Sequence, residues 1–128
     1  MNLLLDTHVA IWWITKYEKL SPKVKALLLD DANTLYISIA SVWEVAIKVS
    51  LGKLPVFAGG VKAFLAEIGK NPVTLLPIRT LHVEMVETLP FIHRDPFDRL
   101  LVAAAKVEDM TILTADENIQ RYDVPWIW

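Results

Sequence analysis

Asn2-Leu3-Leu4-Leu5-Asp6-Thr7 opens the chain with a short apolar run stopped by an acid. A run that is apolar at every position reads as a strand buried on both faces, the habit of parallel sheets. A helix is expected directly behind it, from Thr7 to about Ile14. Outward from this unit the alternation repeats. Pro22 suits the first helical position with Ser21 as cap, giving a second helix to about Asp30. Thr34 to Ser38 is rich in β-formers, and Ser41 to about Leu51 reads as a helix stopped by Gly52 and Pro55. Helical spacing covers Val61 to Ile68, closed by Gly69 and Asn71-Pro72, and Val73 to Leu76 is a third strand. A short helix follows over Arg79 to Thr88, and Asp95-Pro96 opens another to about Val107. Thr111 to Leu113 is a fourth strand, and Val124 to Trp128 a last one, with Pro125 marking an edge. Strands alternating with helices predict a three-layer α/β fold, a mainly parallel central sheet flanked by helices. One domain over residues 1–128 is expected, without repeats or linkers, and the Gly59-Gly60 loop is the best candidate for mobility.

The apolar fraction of 54% is high for a small domain, and five Trp add to it. That excess points to a homodimer interface and an apolar groove for a partner helix, a large core being the plainer use. The net charge of −2 gives no general footprint for nucleic acid, so any such binding needs a local basic patch. There is no Cys, and His8, His82 and His93 are the only imidazoles, which argues against zinc. No basic segment precedes an apolar stretch at the start, as a signal peptide would need, and no apolar run nears the roughly 18 residues of a membrane span. A cytoplasmic location away from any membrane is expected.

Asp6, Glu44, Asp98 and Asp116 each stand beside an apolar run, where strand ends and helix starts of an open α/β sheet face one crevice. Four carboxylates there would repel one another unless a hard cation neutralised them, and Mg²⁺ or Mn²⁺ prefers oxygen ligands. Each acid also has a plain structural use. Asp6 could cap the first helix. Ser41-Val42-Trp43-Glu44 has the form of a capping box, with Lys48 one turn on as an ion-pair partner. In Asp95-Pro96-Phe97-Asp98, Asp95 suits the cap, and Asp98 at N3 would be stabilised by the helix dipole. Asp116 could serve a turn or a cap before Glu117-Asn118, with Thr114 donating to a carboxylate or a water. The coincidence of four acids from four separated segments is what resembles a site.

His93, Arg94 and Arg99 flank Asp98 and would sit at the crevice mouth, where they could hold phosphates. Pairing of Arg94 or Arg99 with neighbouring acids is the competing use. His93 could also carry a proton. Trp12 and Trp13 could stack bases, although adjacent Trp more often pack a core or an interface.

Several blocks resemble the PIN-domain ribonucleases of the VapC toxin group over nearly the whole chain. They are Leu4-Leu5-Asp6-Thr7-His8, Ser41 to Lys48, Leu51-Gly52-Lys53-Leu54, His93 to Leu101 and Thr114-Ala115-Asp116. The resemblance implies metal-binding acids at Asp6, Glu44, Asp98 and Asp116, with Thr7 as the hydroxyl after the first acid. It implies Mg²⁺- or Mn²⁺-dependent endonuclease action on RNA, usual homodimerisation, and silencing by a small antitoxin. His8 departs from the small polar residue common at its position. Lys48, Arg94, Arg99 and His93 are the expected substrate contacts. A non-catalytic PIN-like module, whose acids receive a partner's basic segment, is the rival. A phospho-acceptor receiver domain fails, because Asp6 is followed by Thr7-His8 rather than a second acid and strand three ends in Pro77.

Overall fold

A computed structural model describes residues 1–128. The elements are β1 (Asn2–Leu5), α1 (Thr7–Thr15), α2 (Pro22–Leu29), β2 (Thr34–Ser38), α3 (Ile39–Ser50) and α4 (Val61–Ile68). They continue as β3 (Val73–Leu76), α5 (Thr80–Thr88), α6 (Pro96–Glu108), β4 (Thr111–Leu113), α7 (Glu117–Gln120) and β5 (Trp126–Ile127). All strand pairings are parallel, in the order β3-β2-β1-β4-β5. The expected three-layer α/β architecture is therefore the one observed.

The strand period of two builds the layers. Leu3, Leu5 and Leu113 join one buried cluster with Val9, Val24, Ile37, Val45, Phe64 and Ile68, from α1 to α4. Leu4 and Ile112 point the other way, into a cluster with Leu101, Val102, Ala104, Ala105 and Ile119. The small residues of α6 let that helix lie close to the sheet, which fixes where its N-terminus stands. Across this layer His82, on α5, receives the backbone N–H of Arg79 on Nδ1 (3.1 Å) and donates from Nε2 to Glu108 Oε1 (2.9 Å). His82 and Arg79 hold the Glu108 carboxyl below its ordinary range.

The strand order has a functional consequence. The chain moves from β1 outward to β2 and β3, then returns to place β4 on the other side of β1. The switch point thus lies between β1 and β4, where a crevice opens beyond the carboxyl ends of the strands. Asp6 follows β1 and donates its backbone N–H to Leu113 O of β4 at 3.1 Å.

Two local expectations are corrected. The third helix begins at Ile39, with buried Ser38 as its cap (Ala40 N to Ser38 Oγ, 3.0 Å), because β2 runs into it without a loop. Ser41 and Glu44 therefore form no capping box, and Glu44 lies in the second turn. Residues Glu117–Gln120 form a short helix, and of the turn and cap roles open to Asp116 it is the cap that is observed.

Candidate functional site

Asp6 is the centre of the crevice and is almost fully buried. One carboxylate oxygen caps α1 by accepting Val9 N at 2.8 Å, and the other accepts the hydroxyl of Thr114. Burial pushes its carboxyl above the ordinary range, with Asp116 adding repulsion. The hydrogen bonds from Thr114 and Val9, with the nearby His8, oppose that rise. The cap and the site are thus one feature: the helix start fixes the rotamer of the acid.

Thr7 lies beside it, buried, with Oγ1 2.7 Å from Glu44 Oε1 and 2.9 Å from Ser41 Oγ. A hydroxyl has one proton to give, so Thr7 donates to the carboxylate and its lone pair can accept from Ser41. Glu44 is also buried, and its other oxygen pairs with Lys48 at 3.2 Å, as the i,i+4 spacing predicts.

Asp95 and Asp98 separate as their positions suggest. Asp95 Oδ1 caps α6 by accepting Phe97 N (2.9 Å) and Asp98 N (3.2 Å). Asp98 is left free to turn toward the crevice, where His93 Nε2 lies 3.0 Å from its Oδ2. Burial raises its pKa to about 7, against the His93 hydrogen bond, with Asp95, Asp116 and Glu44 adding repulsion. Asp116 caps α7 by accepting Asn118 N at 2.8 Å, and donates its own N–H to Thr114 Oγ1 at 3.0 Å. Thr114 therefore links Asp6 and Asp116, one residue donating in one direction and accepting in the other.

The expected place of Arg99 at the crevice mouth is corrected. Its side chain is buried, donating to Pro90 O (2.9 Å), Val86 O (3.3 Å) and Tyr122 Oη (3.1 Å), and its guanidinium stacks 4.5 Å from the Phe91 ring centre. Residue i+1 from a crevice acid is turned about 100° round the helix, which carries Arg99 away from the crevice into the α5–α6 contact. Tyr122 then fixes His93. With Arg99 donating to Tyr122 Oη, the phenol proton is free for His93 Nδ1 (2.9 Å), which leaves Nε2–H for Asp98. Arg94 is exposed and makes no ion pair.

Asp6 and Asp116 share a cavity of about 190 Å³ with His8, Trp12 and Ala115. Glu44 and Asp98 do not line it. No three acidic or imidazole side chains are gathered as a metal-binding set in these rotamers. Each acid leans on its own protein partner instead. The four are still electrostatic neighbours: Asp116 acts on both Asp6 and Asp98, and Glu44 on Asp98. Oxygen-only donors, two of them with protonation favoured by burial and mutual repulsion, fit a hard divalent cation. Tyr122 escaped the sequence reading because it approaches His93 from 29 residues away, with no local pattern to announce it.

A doubly wound parallel sheet with buried carboxylates at its switch point defines an α/β protein with an acidic crevice. The chain belongs to the PIN domain family, whose pattern matches residues 3–125. PIN domains are generally nucleases, which supports a hydrolytic role. Similar solved structures include VapBC2 from Rickettsia felis bound to a promoter DNA fragment (TM-score 0.74, 18% identity, 99% of this chain and 98% of that one). DNA-bound VapBC from Salmonella typhimurium (TM-score 0.69, 16% identity, 99% and 97%) is another. FitAcB from Neisseria gonorrhoeae (TM-score 0.63, 20% identity, 98% and 96%) is a third. No curated protein sequence matches the chain. None of the helices is long and apolar enough to cross a membrane.

Proposed function

We propose that residues 1–128 form one catalytic unit, a Mg²⁺- or Mn²⁺-dependent endoribonuclease that cuts single-stranded RNA. The observation that carries this reading is the pair of carboxylates at the sheet's switch point, buried Asp6 and half-buried Asp98, both with proton affinity raised. Asp6 and Asp98 are the principal metal ligands, and Glu44 and Asp116 complete the acidic ring. A bound cation there supplies Lewis-acid polarisation of a phosphate and a more acidic water. The chain's own groups do the positioning. Thr7 orients Glu44, Thr114 orients Asp6, and His93 holds Asp98 with a defined N–H. Arg94 and Lys48 face the developing negative charge of the phosphate. Purified protein should cut single-stranded RNA in Mg²⁺ or Mn²⁺ and stop in EDTA. Undiminished cleavage in chelator would sink the metal-dependent mechanism.

The biological setting we infer is that of a toxin acting in the cytoplasm and held silent by a cognate antitoxin. Support comes from the fold shared with the toxin–antitoxin complexes VapBC. Co-expression with the product of an adjoining small gene should block cleavage. A second reading keeps the acids as a receptor for a partner's basic segment, without catalysis. It is favoured by the local partner each acid already has, and the chelator experiment separates the two.

Homodimerisation is part of the same proposal. Ile39, Trp43, Ile47 and Leu51 repeat at i,i+4 along α3 and are all exposed, Trp43 by 56% and Leu51 by 61%. Trp43 also packs edge-on against Phe97, ring centres 5.0 Å apart, which extends the apolar face onto α6. Light scattering at micromolar concentration should give a dimer, and Trp43→Glu with Ile47→Glu should give a folded monomer. A wild-type monomer, or a variant that stays dimeric, would remove this face as the interface.

A further inference from the structure

Beside the acidic cavity lies a larger one of about 330 Å³, lined by His8, Ile11, Trp12, Thr15, Lys16, Lys48, Lys53, Leu54, Pro55 and Val56. Three lysines converge there and no acid does, in a chain whose net charge is −2. This is the local basic patch that the composition as a whole does not provide. Lys48 in the last turn of α3 and Lys53 in the loop after it are near neighbours in the chain, whereas Lys16 comes from the end of α1. Tertiary structure brings Lys16 to the other two. Lys16 and Lys53 are exposed and form no ion pair, whereas Lys48 is tied to Glu44.

The two cavities adjoin, with His8 and Trp12 lining both. Trp12 is set firmly at the junction. Its ring packs against Trp128 on one side, centres 5.9 Å apart, and His8 stands 5.8 Å away. Lys19 adds a further cation 5.4 Å from the Trp12 ring centre. Ile11, Leu54, Pro55 and Val56 supply an apolar wall. A cationic rim, an indole at the junction and an apolar wall match a polyanion that carries aromatic bases. An acidic peptide would need apolar or aromatic side chains placed beside its acids to fill the wall and meet the indole, whereas every nucleotide carries phosphate and base together.

We propose that this cavity is a single-stranded RNA subsite, flanking the acidic crevice. It seats the neighbouring nucleotide with its phosphates on Lys16 and Lys53 and its base against Trp12 and the apolar wall. The proposal rests on the nuclease reading for the direction in which the strand runs, from this cavity past His8 to Asp6. Lys48 stands between the two regions, neutralising Glu44 on one side and facing the RNA on the other.

The test is binding, read separately from cleavage. Anisotropy of a labelled single-stranded RNA octamer is measured in EDTA across a salt series. The proteins are wild type, Lys16→Gln with Lys53→Gln, a charge-matched control of Lys23→Gln with Lys62→Gln, and Trp12→Leu and Trp12→Phe, each checked by thermal melting. The groove pair should weaken binding at least tenfold, and should flatten the salt slope by about 1.4, at roughly 0.7 for each phosphate no longer neutralised. The control pair should change the slope by less than half of that. Trp12→Leu should cost about tenfold at unchanged salt slope, and Trp12→Phe should recover most of it, because stacking carries no charge. Equal affinity and slope in the groove pair and wild type overturn the proposal. So does a groove pair that keeps RNA affinity but loses a co-expressed protein partner, which makes the cavity a protein dock. A protein that binds RNA through these lysines yet never cuts it keeps this subsite and ends the nuclease reading. One that cuts RNA with the groove pair unaltered does the reverse.

Discussion

Asp98→Asn should reduce RNA cleavage to background while raising the melting temperature of the metal-free protein at pH 8. The two effects have one source. Burial raises the Asp98 pKa from 3.8 to about 7, with Asp95, Asp116 and Glu44 adding to it. A carboxyl whose folded pKa lies above its unfolded value binds protons more tightly in the fold. Its stability contribution is therefore full below the unfolded value and is lost as pH rises through about 7. In EDTA the wild type should melt lower at pH 8 than at pH 5, and Asp6 acts in the same direction. Asn keeps the shape and removes the charge. Allowing for solvent screening of a group that is not fully enclosed, the gain at pH 8 is on the order of 1–2 kcal/mol, or roughly 5 °C. Added Mg²⁺ should stabilise the wild type and leave the variant nearly unmoved. Cleavage by Asp98→Asn at the wild-type rate would remove Asp98 from the ligand set. A wild-type melting temperature that is level or rising from pH 5 to 8 in EDTA would remove the electrostatic argument.

Arg99→Ala should be the most damaging single truncation on the α5–α6 side. The guanidinium is buried against two backbone carbonyls and the Tyr122 hydroxyl, and its removal leaves all three without that donor. Stripping charged hydrogen bonds from buried acceptors should cost about 3 kcal/mol, near 10 °C in melting temperature. Arg99→Lys should recover little, because one ammonium cannot reach three acceptors set out for a planar fork. Loss of cleavage should track loss of fold, and the pH–rate profile of the residual native fraction should shift as His93 loses its fixed tautomer. Were Arg99 a phosphate contact, the variant would melt as wild type does and fail only in RNA affinity. Melting curves beside cleavage rates decide between these outcomes.

Most of the architecture, with the helix caps at Ser21 and Asp95, was legible in the chain itself. Leu3, Leu4 and Leu5 are apolar in succession because both faces of β1 are covered. Asp95-Pro96 starts α6 because proline needs no hydrogen-bond partner at N1 and an acid accepts the orphaned amides. Those are near-neighbour effects, and near neighbours are what a sequence displays. Ser41 misled for the same reason. Its spacing to Glu44 is that of a capping box, but β2 passes into α3 at Ser38, and only the sheet register with β1 and β3 decides where a strand stops. Tyr122 joins His93 and Arg99 in one network, and Lys16 joins Lys48 and Lys53 in one basic rim, each from a segment far off in the chain. Residue type and spacing determined which groups exist and which helices carry them. The strand order, with its switch between β1 and β4, decided which groups meet, because contacts between distant segments follow from packing rather than from local preference.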